Sequence, residues 1–449
     1  MTTDPSPDTE HTTETLSATI SKLSHPLASN DDLDPLLEHI GDARYVLLGE
    51  ASHGTSDYYT WRARLSQRLI TEKGFSFIAV EGDWPDCYAV NRYVKGYRDA
   101  GTSARAVLQN FSRWPTWMWA NWEIVALTEW LRAYNQAGNR QGAAQVGFYG
   151  LDVYSLWASM ASIIDYLTKH VPEALDIARR AYLCFEPYGK DVQSYAWRTS
   201  IVPETCEDEV VELLQTVRRN VSRYPTDPET SFDVEQNALI TVDAERYYRA
   251  MVRGGAGSWN VRDRHMVATL ARLMAHHANL HPDGKAKAIV WEHNTHIGDA
   301  RATDMSRAGM VNVGQLVREQ HEREGVVLVG CGTYHGSVIA GEEWGAPMRR
   351  MAVPTAQPNS WEMVLHQSNP GDQLLLSHEL QAHKATLAPR GQRAIGVVYQ
   401  PEREGLNYVP TILPQRYDAF LFLNETTALH PLHLEPQTDK PPDTYPWGV

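Results

Sequence analysis

The sequence predicts an α/β fold: a mostly parallel sheet flanked by helices, with a large helical insert. Three observations predict it. Short apolar runs recur at YVLL (45–48), FSFIAV (75–80), VGFYG (146–150), KAIVW (287–291), GVVLVG (325–330), AIGVVY (394–399) and AFLFLN (419–424). Several are apolar on both faces, as buried parallel strands are. Helical patterns separate them. The chain has 449 residues, 43% hydrophobic and 21% charged, which is enough for one large domain with an insert or for two domains.

Taken in order, residues 1–30 are polar and read as a disordered tail. They have neither the basic start nor the apolar centre of a signal peptide, so a cytoplasmic location is expected. YVLL opens the sheet. DYYTWRARLSQRLITEKG follows as a helix, because Tyr58, Trp61, Leu65 and Leu69 form an i, i+3, i+7, i+11 stripe. Ser56 or Asp57 is the expected N-cap and Gly74 the expected end. With FSFIAV after it, this is a βαβ unit. Residues 31–154 and 286–430 are expected to form one discontinuous α/β domain. Residues 155–285 carry long helical patterns, such as VEQNALITVDAERYYRAMV and VRDRHMVATLARLMAHH, and form the insert. Residues 431–449 are a Pro-rich arm.

Net charge is −14, from 41 basic and 55 acidic residues, with no basic stripe. Nucleic acid and anionic membranes are therefore not expected partners. No stretch approaches the roughly 18 apolar residues of a membrane span. Cys87, Cys184, Cys206 and Cys331 are far apart and make no C-x-x-C pair, so neither a disulfide framework nor a cysteine zinc site is expected. No coiled-coil repeat sets an oligomeric state.

The polar residues gather where the strands end. Glu50 and His53 follow the first strand, Glu81 and Asp83 the second, Asp152 the third. Glu292, His293, Asn294 and His296 follow the fourth, and Thr333 and His335 the fifth. The C-terminal ends of parallel strands share one edge, where ligands bind. Imidazoles beside glutamates suit general acid–base work on water. Glu81 is suited to orient a histidine, as a carboxylate does for a base. Arg62 either stabilises an oxyanion or pairs with Glu81. No G-x-S-x-G is present and Ser337 lacks that context, which favours direct attack by water. The same residue types also suit a divalent metal, the competing reading; no spacing is diagnostic of one. Trp114, Trp117, Trp119 and Trp122 read first as packing and otherwise as an aromatic wall beside a cleft.

These residues carry a family resemblance. LLGEASHGTSDYYTWRARLSQRLITEKGFSFIAVEGDWPD and IVWEHNTHIGDAR resemble the two signatures of the erythromycin esterase family. Similarity continues through FYGLDVYSLW, SWNVRDRHM, NVGQLVRE and GTYHGSVIAGEEWGAPM. The resemblance implies a hydrolase that opens a macrolide lactone, or cleaves another bulky ester, by water attack without a covalent intermediate. In the family pattern, Glu50 and His53 match Glu-x-x-His, Arg62 the arginine, Glu81 the next glutamate, and His293, Asn294 and His296 the His-Asn-x-His motif. It implies His53 as the base, Glu81 and Glu50 orienting it, and His296 as a second acid–base group that His293 replaces less directly. Asn260, Arg262 and Asp263 reach the cleft by the family pattern alone. Substrate contacts are expected from Asn294, Trp117, Trp119, His335, Asn260 and Arg262. Glu292 and His335 depart from the pattern, which places the chain in a branch of uncertain substrate. No cofactor is implied, with a divalent metal or a bound haem as alternatives. The expected partner is a small-molecule ester or lactone.

Overall fold

The computed structural model describes residues 16–137, 145–188, 195–196, 198–199, 205–221, 227–281 and 284–433. The expected tail over 1–15 and the arm beyond 433 lie outside them. Residues 16–23 are already helical, with Leu16 and Ile20 fully buried, so packed structure begins well inside the tail read from sequence. The chain divides into two compact units. One holds the chain through Ile78, Pro115–Leu127 and the chain from Lys287; the other holds Ala79–Trp114 and Thr128–Ala286.

The first unit is built on a sheet in the order β1–β8–β11–β6–β2–β5, with β7 beside β6. Its centre is parallel. Strand β2 (Tyr45–Leu48) pairs in register with β5 (Ala288–Trp291) on one side and with the start of β6 (Val326–Ala340) on the other. Strand β11 (Ala419–Thr426) runs parallel to β6 from Ala419 opposite Val329 to Thr426 opposite Gly336. All four residues of β2 and of β5 are buried, as strands covered on both faces require. Antiparallel strands finish the sheet: β8 (Gln373–Leu376) on β11, β1 (His25–Pro26) on β8, and β7 (Arg349–Val353) on β6. Strands β9 (Arg390–Arg393) and β10 (Tyr408–Thr411) make a separate hairpin.

Helix α1 (Ser56–Lys73) buries the stripe read from sequence and ends at Gly74, whose φ of 70° a side chain would strain. Its N-cap is Thr55, not Ser56 or Asp57. The Ser56 hydroxyl donates to Glu123, and the Asp57 carboxylate accepts the Thr427 N–H, so both are engaged elsewhere. The expected strand AIGVVY is also displaced. The strand is Arg390–Arg393, and Ile395 and Val398 make only isolated bridges, to Ser52 and Gly341. Ile395 is apolar because it is buried beside the end of β2, which a run of hydrophobic letters does not distinguish from a strand.

The second unit carries most of β3 (Phe77–Asp83), which pairs with β4 (Gly147–Asp152), and helix α2 (Trp84–Val94). Its bulk is helical: α3 (Leu156–His170), α4 (Leu175–Phe185), α5 (Glu207–Val221), α6 (Pro228–Met251) and α7 (Gly257–Leu280). Leu156, Ile163, Val210, Leu213, Val234 and Tyr247 belong to one buried cluster among them. Helix α6 starts where the Asp227 carboxylate accepts the Glu229 and Thr230 N–H groups, ahead of a proline at the first turn. One disulfide, Cys184–Cys206, joins α4 to the approach to α5, where no disulfide framework was expected. The partners are 22 residues apart and meet only once the helices pack, so no local spacing announces them.

A buried acid in the first unit gives a pH-dependent prediction. Glu362, in α10 (Trp361–Ser368), is fully buried; Oε1 accepts the Arg393 N–H at 2.9 Å and Oε2 has no hydrogen-bond partner among the described residues. Burial pushes its carboxyl up to about 7, against the opposing Arg393 cation. A raised acid stabilises the fold while protonated, so this contribution is complete below the ordinary glutamate range and is lost as pH rises to about 7. Glu362→Gln is expected to remove that decline, giving a stability gain on the order of 3 kcal/mol above neutrality by chemical denaturation. A difference between the two proteins that does not change with pH would contradict it.

Candidate active site

The end of β2 delivers Glu50 and His53 into the interior of the first unit. Both are buried, at 1% and 6% exposure, and Arg62 on α1 at 1%. Glu50 Oε1 lies 3.0 Å from His53 Nδ1, and Arg62 Nη2 donates to Glu50 Oε2 at 2.5 Å. A carboxylate only accepts, so His53 Nδ1 carries the proton and Nε2 is the basic nitrogen of the neutral ring. Arg62 therefore pairs with Glu50 rather than with Glu81. Its guanidinium carbon sits 4.4 Å from the Tyr59 ring centroid and 4.6 Å from that of Trp291. The Tyr59 hydroxyl in turn shares its one proton between the carbonyls of His53 at 3.0 Å and Met118 at 2.9 Å.

The end of β5 delivers the second histidine pair. His293 caps the four-residue helix α8 (Asn294–Ile297): its Nδ1 accepts the Thr295 N–H at 3.3 Å and meets the Thr295 hydroxyl at 2.8 Å. An atom that accepts a backbone N–H carries no proton, so in His293 the proton is on Nε2. The rings of His53 and His293 lie 4.9 Å apart. With these tautomers, Nε2 is the basic nitrogen of His53 and the N–H of His293. His296 is buried at the C-terminal end of the same short helix.

Asn294, expected at the substrate, uses its polar groups on the protein. Its amide donates to the Cys331 carbonyl at 2.6 Å and accepts the Cys331 N–H at 3.2 Å, while its own N–H donates to the Glu50 carbonyl at 2.8 Å. Glycines allow this close packing. A Cβ on Gly49 would stand 2.2 Å from Asn294 Oδ1, and one on Gly314, in α9 (Val313–His321), 1.9 Å from the Ile297 carbonyl oxygen. Gly49→Ala is expected to push Asn294 off Cys331 and to destabilise the protein by about 1–3 kcal/mol, read as a lowered urea midpoint. An unchanged midpoint would contradict this packing.

In the second unit the strand ends gather carboxylates around arginines. Arg262 Nη2 lies 2.7 Å from Glu81 Oε1 and 2.7 Å from Asp152 Oδ2, and its guanidinium carbon 4.9 Å from the Tyr154 ring centroid. Asp83 pairs with Arg113. Arg262, with its neighbouring cation, holds the Asp152 carboxyl below its usual range despite burial, which alone would raise it. Arg262 and Asp152 are an ion pair that spacing could not reveal, because they lie 110 residues apart.

Trp117 and Trp119 are both buried, and Trp119 tilts against Tyr59 at 6.2 Å. His335 lies on β6 opposite Glu425, its ring against Tyr334. Asn260 and Asp263 lie on α7, Asp263 fully buried. Glu292 is fully buried at the end of β5. The Ser337 hydroxyl accepts from Ala428 and Arg350, so it is engaged as an acceptor. Burial pushes the Cys331 thiol up to about 12, far from a nucleophile's range. Among the described residues no group of three or more His, Cys, Asp or Glu is placed to hold a metal ion, and no helix is long and apolar enough to cross a membrane.

Comparison with known proteins decides the family. The sequence pattern described as erythromycin esterase matches residues 70–426. This chain belongs to the erythromycin esterase family. It is similar to erythromycin esterase type II of Escherichia coli, 25% identical over 294 residues, which cover 62% of this chain and 66% of that protein. The chain thus spans just under two thirds of that relative. It is also similar to a putative hydrolase of Bacillus subtilis, 21% identical over 70% of each chain. Among solved structures, a protein from Bacillus cereus shares the fold at a TM-score of 0.77 and 20% identity, over 94% of this chain and 99% of that one. An erythromycin esterase mutant in its open conformation shares it at 0.64 and 15% identity, over 90% and 97%. Membership in this esterase family supports a hydrolase.

Proposed function

We propose that this esterase-family member hydrolyses a bulky carboxylic ester, a macrolide lactone among the candidates, by water that His53 activates. The observation that carries the reading is the Glu50–His53 contact, which fixes the proton on Nδ1 and leaves Nε2 as the base. Water gives its proton to His53 Nε2 as its oxygen bonds to the ester carbonyl carbon. The carbonyl oxygen becomes an oxyanion, and the Nε2–H of His293 is the donor at hand for it. Glu50, itself held by Arg62, stabilises the imidazolium. On collapse the carbon–oxygen bond to the alcohol breaks and His53 returns the proton to the leaving oxygen. One water is consumed and one acid and one alcohol form, with no bond to the protein.

His296 is the second acid–base group in this reading, and Asn294 holds the turn that carries both histidines. The name of the E. coli relative and the family pattern support the ester or lactone class. The test is a panel of macrolide lactones, simpler lactones and aryl esters, followed by mass spectrometry with and without chelator. The expected result is a gain of one water on at least one substrate that survives chelation. Chelator-sensitive turnover with stoichiometric bound metal would overturn the metal-free mechanism.

A further inference from the structure

Arg416, in the short helix Leu413–Arg416, is 1% exposed. Among the described residues no carboxylate lies within ion-pair distance of it, although burying a cation without a partner is costly. Burial pulls its guanidinium below the usual arginine range. Its two terminal nitrogens donate to neutral oxygens: Nη1 to Gln392 Oε1 at 3.0 Å and Thr411 Oγ1 at 2.8 Å, and Nη2 to the Asn294 carbonyl at 3.0 Å, while Nε has no hydrogen-bond partner among the described residues. Its own carbonyl accepts the Asp299 N–H at 2.9 Å. A Cβ on Gly298 would stand 2.6 Å from Arg416 Nε, so the chain keeps a glycine where the guanidinium approaches.

The arginine therefore grips both ends of the turn that carries His293 and His296. Asn294, which stands between the two histidines, is fixed on three sides: by the Glu50 carbonyl, by the Cys331 backbone and by Arg416. The first two holds come from the segment just after β2 and from β6. The third reaches in from the segment after β10 and is the only charged one. A leucine or methionine would fill the same buried space without the cost of the charge, but would release the Asn294 carbonyl.

We infer that Arg416 is a positioning residue for the His293–Asn294–x–His296 turn, setting the histidines through the Asn294 carbonyl without touching substrate. The inference rests on the reading of those histidines as reacting groups. Arg416→Lys keeps the charge but loses the planar fork, and Arg416→Ala loses both. Expected for both variants is a fall in kcat of about 10²-fold with KM nearly unchanged, the scale of a misplaced catalytic group. Guanidinium ion added to Arg416→Ala should restore part of kcat, which a purely structural defect would not allow. Nitrogen NMR of labelled histidines should show His293 leaving its single Nε2–H tautomer while His53 keeps its own. That signal needs no turnover, so this inference and the hydrolase reading can fail separately. If Arg416→Ala does not fold, Arg416→Lys decides by kcat and by the His293 signal. Folded variants with wild-type kcat, or with an unchanged His293 tautomer, would overturn the inference.

Discussion

Replacing His53 with alanine is expected to lower ester hydrolysis by about 10²–10⁴-fold, the range that a positioned general base contributes, while the fold remains. The ring is small and sits at the end of a strand, so its removal leaves β2 paired on both sides. The Glu50–Arg62 ion pair survives, and no buried charge is left alone. Loss of rate with an unchanged circular dichroism spectrum and a melting temperature within a few degrees is the expected pair of results. Wild-type turnover by His53→Ala would mean that another group deprotonates the water.

Arg62→Ala is expected to act on stability as much as on rate. It leaves the Glu50 carboxylate buried without its arginine, and breaking a buried ion pair from one side costs about 3–5 kcal/mol. It also removes the flat cation held against Tyr59 and Trp291. Arg62→Lys keeps the charge without that fork and plane, so its loss should be intermediate. Glu50→Gln combined with Arg62→Ala should cost less than the two single changes added together, by about 0.5–3 kcal/mol, because the neutral amide no longer needs the cation. Denaturant melts of the four proteins measure this cycle. A single-mutant loss below about 1 kcal/mol would place the pair with weak surface bridges and contradict its buried role.

Much of this was legible in the sequence because strands covered on both faces leave unbroken apolar runs. YVLL is β2 residue for residue, and the ends of YVLL and KAIVW supply the histidines that meet. Period alone failed where burial has another cause. AIGVVY is apolar because Ile395 is buried beside Ser52, whereas QLLL, not read as a strand, forms β8. Residue types were legible at the site and partners were not. Arg62 reads from sequence as an oxyanion donor or a partner of Glu81, and packing assigns it to Glu50 instead. Thr295 was an unspecified letter within His-Asn-x-His, yet it fixes the His293 tautomer. Arg416 lies 122 residues from the Asn294 carbonyl it holds, a separation no motif spans.

The measurement that tests the central claim most directly is a single turnover, with protein in excess, of an ester from the panel in water enriched in heavy oxygen. The reaction is quenched and both product and intact protein are weighed. Attack by His53-activated water predicts one heavy oxygen in the acid product of the first turnover and a protein mass equal to that of the free chain throughout. A protein adduct that carries the acyl group, or a first-turnover product without the label, would contradict it.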